Sequence, residues 1–92
     1  MAEIISSQTT AANSLDFTII DGSSCLLFLK DSDSDNNIYE AAVAYIQAKS
    51  SNGKYVTFGQ LSFKEPALVL TAPGTFRVSK PESAYAYGVD KS

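Results

Sequence analysis

The stretch that decides the fold is residues 67–81, ALVLTAPGTFRVSKP. Two short segments rich in apolar and β-branched residues flank the dipeptide Pro73-Gly74. Proline presets the backbone dihedral that the first central position of a β-turn requires, and glycine accepts the positive φ that a type II turn places at the second. The stretch therefore predicts two strands that meet at a hairpin or at a sharp strand corner.

The same pattern of short apolar segments separated by turns recurs along most of the chain. Apolar and polar residues alternate over 15–19, the dipeptide Asp21-Gly22 predicts a turn, and an apolar run follows over 25–29. Gly59 predicts a bulge or bend, and residues 84–90 alternate again as a closing strand. Seven or eight short strands at this spacing predict an all-β fold, a single small antiparallel β-sandwich.

The segment 38–49 is open to two interpretations. Asn37 and Glu40 resemble a capping box, and the alanine-rich run that follows would suit a helix. Against this, Asn52-Gly53 leads directly into a β-branched and aromatic run, and Asn-Gly between two apolar runs is a strong hairpin signal. We favour a strand hairpin, with the helix as the alternative. The strand would have one small face and one larger face, with Ala42, Ala44 and Ala48 on the first and Val43 and Tyr45 on the second.

Residues 1–14 are predicted to form a flexible arm, followed by a β-sandwich domain over 15–92. The run 6–14 is polar and small, with nothing to hold it against a core. It is interpreted either as a frayed terminus or as an arm that reaches onto a neighbouring subunit, with Ile4 and Ile5 as anchors. Because a chain of 92 residues builds a limited core, association into a homo-oligomer is expected to add stability.

Composition and charge exclude several classes of function. The net charge is −3 and the seven basic residues are scattered, whereas a nucleic-acid binder needs a basic stripe. The longest apolar runs are too short to span a bilayer, so no membrane partner is predicted. The N-terminus lacks the pattern of a secretory signal, which predicts synthesis in a cytoplasm. Cys25 is the single cysteine, which excludes an internal disulfide and predicts a buried, inert thiol.

The residues offer little for catalysis. The chain has no histidine, and no serine lies in the context of a nucleophile elbow. The acidic residues crowd one polar segment instead of lining an apolar pocket that would shift a pKa. The sequence therefore predicts a protein that is not an enzyme and that needs no cofactor.

One acidic run imitates the start of an EF-hand loop. Asp31, Asp33 and Asp35 occupy the first, third and fifth positions of such a loop. The match fails at the sixth position, where Asn36 replaces glycine, and at the twelfth, where Ala42 replaces a bidentate glutamate. A solvated acidic loop is the favoured interpretation, with a weak calcium site as the alternative.

Arg77 and the tyrosines are the remaining candidates for a site. Arg77 is the single arginine and lies between apolar neighbours in a predicted strand, where its planar fork suits either a structural ion pair or ligand recognition. Tyr85 and Tyr87 share one face of the closing strand and form either a contact platform for protein or sugar, or ordinary half-buried packing. The candidate interface residues are Ile4, Ile5, Arg77, Tyr85 and Tyr87.

Five stretches beyond the polar arm have the features of a known family: SLDFT at 14–18, CLLFL at 25–29, NGKY at 52–55, PGTFRV at 73–78 and GVD at 88–90. Together they resemble small β-sandwich virion proteins of tailed bacteriophages, over most of the chain from Leu15 onward. The resemblance implies a non-enzymatic capsid decoration protein or a head or tail accessory subunit, present in the virion and bound to other virion proteins. The competing functions are a carbohydrate-binding or adhesion module that uses Tyr85 and Tyr87, and a generic immunoglobulin-like accessory domain.

Overall fold

The computed structural model describes residues 2–31 and 41–92, with the backbone alone at Asp31. Nine β-strands and no helix occur in these ranges, which confirms the all-β class. The strands are β1 (Ala2–Gln8), β2 (Ala12–Asn13), β3 (Phe17–Ile19), β4 (Cys25–Asp31), β5 (Val43–Lys49), β6 (Tyr55–Ser62), β7 (Ala67–Leu70), β8 (Gly74–Lys80) and β9 (Tyr87–Lys91).

The strands form two antiparallel sheets that pack against each other. Sheet A has the order β1-β9-β4-β7, and sheet B has the order β2-β8-β5-β6 with β3 also paired to β8. The predicted small β-sandwich is confirmed. The described chain has nine strands instead of the expected seven or eight, because the N-terminal residues add strands of their own.

The core lies between the sheets and is built by alternate residues of their strands. Leu27 and Val89 of sheet A and Ile46 and Val78 of sheet B are all fully buried. Their strand neighbours point to the opposite faces, as the two-residue period of a strand requires. Ala44 on the inner face of β5 and Ala42 just before this strand are also buried, so these small side chains let sheet A approach closely.

Residues 43–49 form a strand, so the predicted hairpin is confirmed and the alternative helix is wrong. The Ser50 amide donates a hydrogen bond to the Lys54 carbonyl at 2.7 Å, and Gly53 has a φ of 82°, which glycine adopts without strain. The expected bulge is present in β6, because Ile46 is opposite Gly59 whereas the next residue of β5 is opposite Thr57.

Pro73-Gly74 forms a strand corner between the two sheets. β7 pairs with β4 in sheet A, whereas β8 pairs with β5 in sheet B. Gly74 has a φ of 149°, in place of the value of about 80° that a type II turn would give it. Asp21-Gly22 connects the sheets in the opposite direction, from β3 to β4, and Gly22 has a φ of 83°.

The N-terminal residues are part of the sandwich, so the expectation of a flexible arm over 1–14 is wrong for the described residues 2–14. β1 is an edge strand of sheet A, where it pairs with β9, and Ile5 is 3% exposed in the core. Register shifts on both sides of Ile5 break the simple alternation. Gly88 makes one of these bulges possible, because a Cβ there would overlap the Ile5 carbonyl oxygen and approach the Ser6 carbonyl carbon to 2.9 Å.

Strands β2 and β3 together form one interrupted edge strand of sheet B, and Ser14 lies at the break between them. The Ser14 amide donates to the Val78 carbonyl at 2.8 Å, and the Val78 amide donates to Ser14 Oγ at 2.9 Å. A serine hydroxyl thus takes the place of a backbone carbonyl in the ladder. Ser14 is buried, so this pair satisfies groups that have little access to water.

A buried lysine ties the N-terminal segment to the end of β8. Lys80 is 1% exposed, and its Nζ donates to the Thr10 carbonyl at 3.1 Å, the Pro81 carbonyl at 3.0 Å and Ser83 Oγ at 3.1 Å. Its ammonium group lies 4.4 Å from the centre of the Tyr87 ring. Burial lowers the pKa of Lys80, an effect that the charge of Glu82 partly offsets.

Candidate protein-binding surfaces

The structure separates the five predicted interface residues. Ile5 and Tyr87 are in the core, Ile4 is half-buried against it, and Tyr85 is 64% exposed. The closing strand begins only at Tyr87, whose hydroxyl donates to the Val43 carbonyl at 2.8 Å. The predicted platform of Tyr85 and Tyr87 on one strand face is therefore not formed.

Arg77 lies on the outer face of sheet B, where its guanidinium group is held by one residue of the adjacent strand β5 and one residue of β6 beyond it. Its Nε donates to Gln47 Oε1 at 2.7 Å, and Gln47 Nε2 in turn donates to Thr57 Oγ1 at 3.2 Å. The Cζ atom lies 3.6 Å from the centre of the Tyr55 ring, and Lys49 Nζ lies 5.9 Å from the same centre. We call Gln47, Lys49, Tyr55, Thr57, Arg77 and Asp16 the Arg77 cluster.

Asp16 fixes the ring on which Arg77 lies. The Tyr55 hydroxyl donates to both carboxylate oxygens of Asp16, at 2.7 and 2.9 Å, and Lys49 Nζ lies 3.5 Å from Asp16 Oδ2. The hydrogen bond from Tyr55 is the main cause that lowers the pKa of Asp16, with smaller contributions from Lys49 and Arg77. The same bond raises the pKa of the Tyr55 hydroxyl. Asp16 is thus an ionised acceptor at neutral pH.

The outer face of sheet A has an apolar patch at the edge formed by β7. Leu26 of β4 is opposite Val69, and Phe28 is opposite Ala67. Leu26 and Phe28 are half-buried, whereas Val69 is 58% exposed. We call these four residues the β7 patch. Ala67 and Val69 lie on β7, a four-residue edge strand whose outer backbone groups have no strand partner among residues 2–31 and 41–92.

The edge of sheet B formed by β6 exposes a second apolar group. Val56 is 57% exposed and Phe58 is 53% exposed, although the Phe58 ring still lies 5.8 Å from that of Phe76. The Phe76 ring also lies 6.2 Å from that of Phe17 on the neighbouring strand. The core aromatics therefore extend to the surface at β6, and this strand is also unpaired on its outer side in the described part of the chain.

A shallow groove of about 260 Å³ lies where β1 approaches the segment before β3. Its apolar lining is Ile4, Leu15 and Phe17, with Glu3, Asp16, Lys91 and Ala2 at its sides. Leu15 is 90% exposed. The groove mixes apolar and charged side chains at an edge that both sheets share.

Ion pairs hold the charged residues on the outer face of sheet A. Lys30 Nζ contacts the Glu3 carboxylate and lies 3.2 Å from Asp90 Oδ1. The Glu3 hydrogen bond is the main cause that raises the pKa of Lys30. Asp90 Oδ1 is buried without a well-aligned hydrogen bond, so the charge of Lys30 compensates it. This set is structural.

The acidic segment with its calcium-loop pattern lies almost entirely outside the described residues. Asp33 and Asp35 lie outside the described residues, and so does the side chain of Asp31, so the choice between a solvated loop and a calcium site stays a prediction. Within residues 2–31 and 41–92 no group of three or more potential metal ligands is present. No helix in these ranges is long and apolar enough to cross a membrane.

Sequence reasoning identified Arg77 but not the residues that hold it. The alternation of β5 could have placed Gln47 and Lys49 on one outer face, and the Asn52-Gly53 hairpin could have placed Tyr55 opposite Lys49. Asp16 is 39 residues from Tyr55 in sequence, and no local pattern indicates that pairing.

Comparisons with protein-family models, with curated proteins and with solved structures found no match to this chain. The resemblance to phage virion proteins therefore stays a prediction.

Proposed function

We propose that this protein is a non-enzymatic structural subunit of a tailed-bacteriophage virion, either a capsid decoration protein or a head or tail accessory protein. Its mechanism is binding: strand edges and apolar outer faces become buried between copies of the chain or against other virion proteins. The virion is the proposed location, after synthesis in the host cytoplasm. The assignment to phage virion proteins rests on the sequence resemblance. The proposed binding mechanism rests on the apolar side chains that are exposed at the sheet edges.

The observation that supports binding is the exposure of large apolar side chains at unpaired sheet edges. Val69 belongs to the β7 patch, and Val56 and Phe58 belong to the edge of β6. Exposed apolar edge strands are the places where another chain can pair, and monomeric proteins usually protect them with charge or proline. Exposed apolar groups of this kind mark interaction surfaces when they cluster.

The proposal is tested by looking for the chain in particles and by measuring its association state. Mass spectrometry of density-purified phage particles from the source culture should detect its peptides in constant ratio to the major capsid protein. Sedimentation velocity should show an oligomer whose population rises with concentration. A chain that is absent from the particles and monomeric at every concentration would contradict the proposal.

A matched pair of variants locates the contact. Val69→Lys places a charge on an exposed edge position and should lower association without unfolding the chain, because the side chain contributes little to the core. Ser24→Lys makes the same charge change at an exposed position outside the strands and should leave association as in the parent. Equal behaviour of the two variants would show that the β7 patch is not the contact.

A further inference from the structure

We propose that the Arg77 cluster is a binding site for the carboxylate of an aspartate or glutamate side chain on a partner protein. This inference rests on the proposed function as a binding subunit, and it names the chemistry of one contact. The proposed ligand is an acidic protein side chain, and the test described below distinguishes it from phosphate and acidic sugars.

The first observation is that the guanidinium group of Arg77 is held in place before any partner arrives. One bond from Nε to Gln47 and the stacking on Tyr55 fix both the position and the plane of the fork. Gln47 and Tyr55 are themselves held, by Thr57 and by Asp16. Because the guanidinium group is already ordered, binding of a ligand would cost little side-chain conformational entropy.

The second observation is that the fork has no anion of its own. Within residues 2–31 and 41–92, the two Nη groups take part in no hydrogen bond, and none of the three ion pairs includes Arg77. Asp16 is near enough for the charge of Arg77 to lower its pKa, yet its oxygens accept from Tyr55 and Lys49 instead. The structure thus presents an oriented cation whose bidentate edge is unused.

The third observation is the charge of the surrounding surface. Lys49 and Arg77 lie over the same tyrosine ring with Asp16 as the only carboxylate of the cluster, although the whole chain has a net charge of −3. An arginine fork matches a planar carboxylate through two parallel hydrogen bonds. Arginine and tyrosine are also the residues that most often dominate the binding energy of protein interfaces. An acidic side chain on a partner protein is the ligand that complements this face.

The test is an NMR titration of the full chain with a blocked hexaglutamate peptide at low salt, with blocked hexaglutamine as the uncharged control. We expect saturable shifts of the Arg77 Nε–Hε and Gln47 side-chain amide signals with hexaglutamate only. Arg77→Gln should weaken binding by about tenfold, the effect of one lost charge-assisted hydrogen bond. Lys64→Gln, the same charge change at an exposed position elsewhere, should weaken it by less than about twofold.

Two further variants distinguish the effect of the planar guanidinium group from the effect of its charge. They also keep the proposal testable if Arg77→Gln does not fold. Arg77→Lys keeps the charge and removes the planar fork, so it should bind more weakly than the parent. Gln47→Glu places an internal carboxylate beside Arg77 and should block the peptide while the chain stays folded. Binding by Arg77→Lys or Gln47→Glu that equals the parent would overturn the proposal, and so would equal losses for Arg77→Gln and Lys64→Gln.

Competing ligands decide the class of partner. Shifts of equal size and affinity with inorganic phosphate would overturn the assignment in favour of a generic anion site, and tighter binding of trigalacturonate would overturn it in favour of an acidic sugar. The particle experiment is independent of these titrations. Peptide binding at Arg77 by a chain that is absent from virions would support this site and contradict the virion role. A chain that is present in virions but does not bind the peptide would support the virion role and contradict this site.

Discussion

At the scale of single residues, the sandwich depends on positions where one added carbon atom would keep two paired strands apart. Gly88 is the clearest case, because the backbone of β1 passes directly over it. Its backbone does not need a positive φ, so the constraint is space alone. A β-bulge in β1 is thus matched by an absent side chain in β9.

Gly88→Ala should lower the free energy of unfolding by about 1–3 kcal/mol, the range for forcing an extra methyl group into a packed site. The backbone at Ile5 and Ser6 would have to move, and backbone gives less readily than a side-chain tip. Urea unfolding of parent and variant measures the change. Gly59→Ala is the control, since its new Cβ would meet nothing within 4 Å. Similar losses for both glycines would contradict this explanation.

The bond between Tyr55 and Asp16 predicts a pH effect at one carboxylate. Because the hydrogen bond favours the ionised form, the pKa of Asp16 is lower in the folded chain than in the unfolded chain. Its contribution to stability is therefore present above the unfolded pKa and is lost as pH falls through the folded pKa. Removal of the Tyr55 hydroxyl should raise the pKa of Asp16.

An NMR titration of the Asp16 carboxyl carbon in the parent and in Tyr55→Phe measures that shift. Tyr45→Phe is the matched control, because Tyr45 is on the same sheet face without a hydrogen bond to Asp16 in the described structure. An unchanged titration curve in Tyr55→Phe would show that Lys49 and Arg77, and not Tyr55, set the pKa.

At the scale of elements, the sequence predicted the strands whose alternation is uninterrupted and missed those whose pairing is irregular. β5 and β6 follow from alternation and an Asn-Gly turn, both of which are local signals. β1 was mistaken for an arm because bulges near Ile5 disturb its period and because its exposed side chains are small and polar. The register that buries it comes from β9, at the opposite end of the chain.

Pairing between distant parts of the chain also explains why the sequence could not predict the whole candidate site. Arg77 was identified by its residue type, but its support comes from Gln47, Tyr55 and Asp16 on three other parts of the chain. Tyr87 was grouped with Tyr85 as a candidate contact platform because the closing strand was expected to include both residues, whereas it begins at Tyr87. Both the support of Arg77 and the start of the closing strand depend on pairing between residues that are far apart in sequence.

Ser14 gives a prediction for the interrupted edge strand. Ser14→Ala removes the acceptor for the Val78 amide in a buried site, so the free energy of unfolding should fall by about 1–3 kcal/mol. Thermal or urea unfolding measures the loss. Ser24→Ala is the control at an exposed position and should change stability little. A neutral Ser14→Ala variant would mean that another group takes over the bond.

At the scale of the whole molecule, the N-terminal strand belongs to the folded body. The chain passes from sheet A to sheet B after β1, returns after β3, and closes with β9 beside β1. Lys80 adds a further link between this segment and β8 through the Thr10 carbonyl. The sheets are therefore joined by several connections, and loss of β1 should affect the entire fold.

Ile5→Ala tests this directly and should cost about 2–5 kcal/mol, the range for removing a large aliphatic side chain from a core. Ile20→Ala makes the same chemical change at a position that is 67% exposed and should cost well under 1 kcal/mol. Both values come from urea unfolding. If Ile5→Ala proved as mild as Ile20→Ala, the N-terminal residues would not belong to the core and the arm interpretation would be restored.

The pairing of β1 with β9 has a consequence for the topology of the chain itself. Ala2 and Lys91 are direct partners across adjacent antiparallel strands, so their Cα atoms are about 5 Å apart. A linker of a few residues could join them into a circular backbone without disturbing any strand pair. Such a ring should melt at a higher temperature than the linear chain with the same linker residues, because cross-linking a loop of this length removes up to about 4–5 kcal/mol of unfolded-state entropy. The ring could then be reopened at the Asn52-Gly53 turn as a circular permutant with the same two sheets.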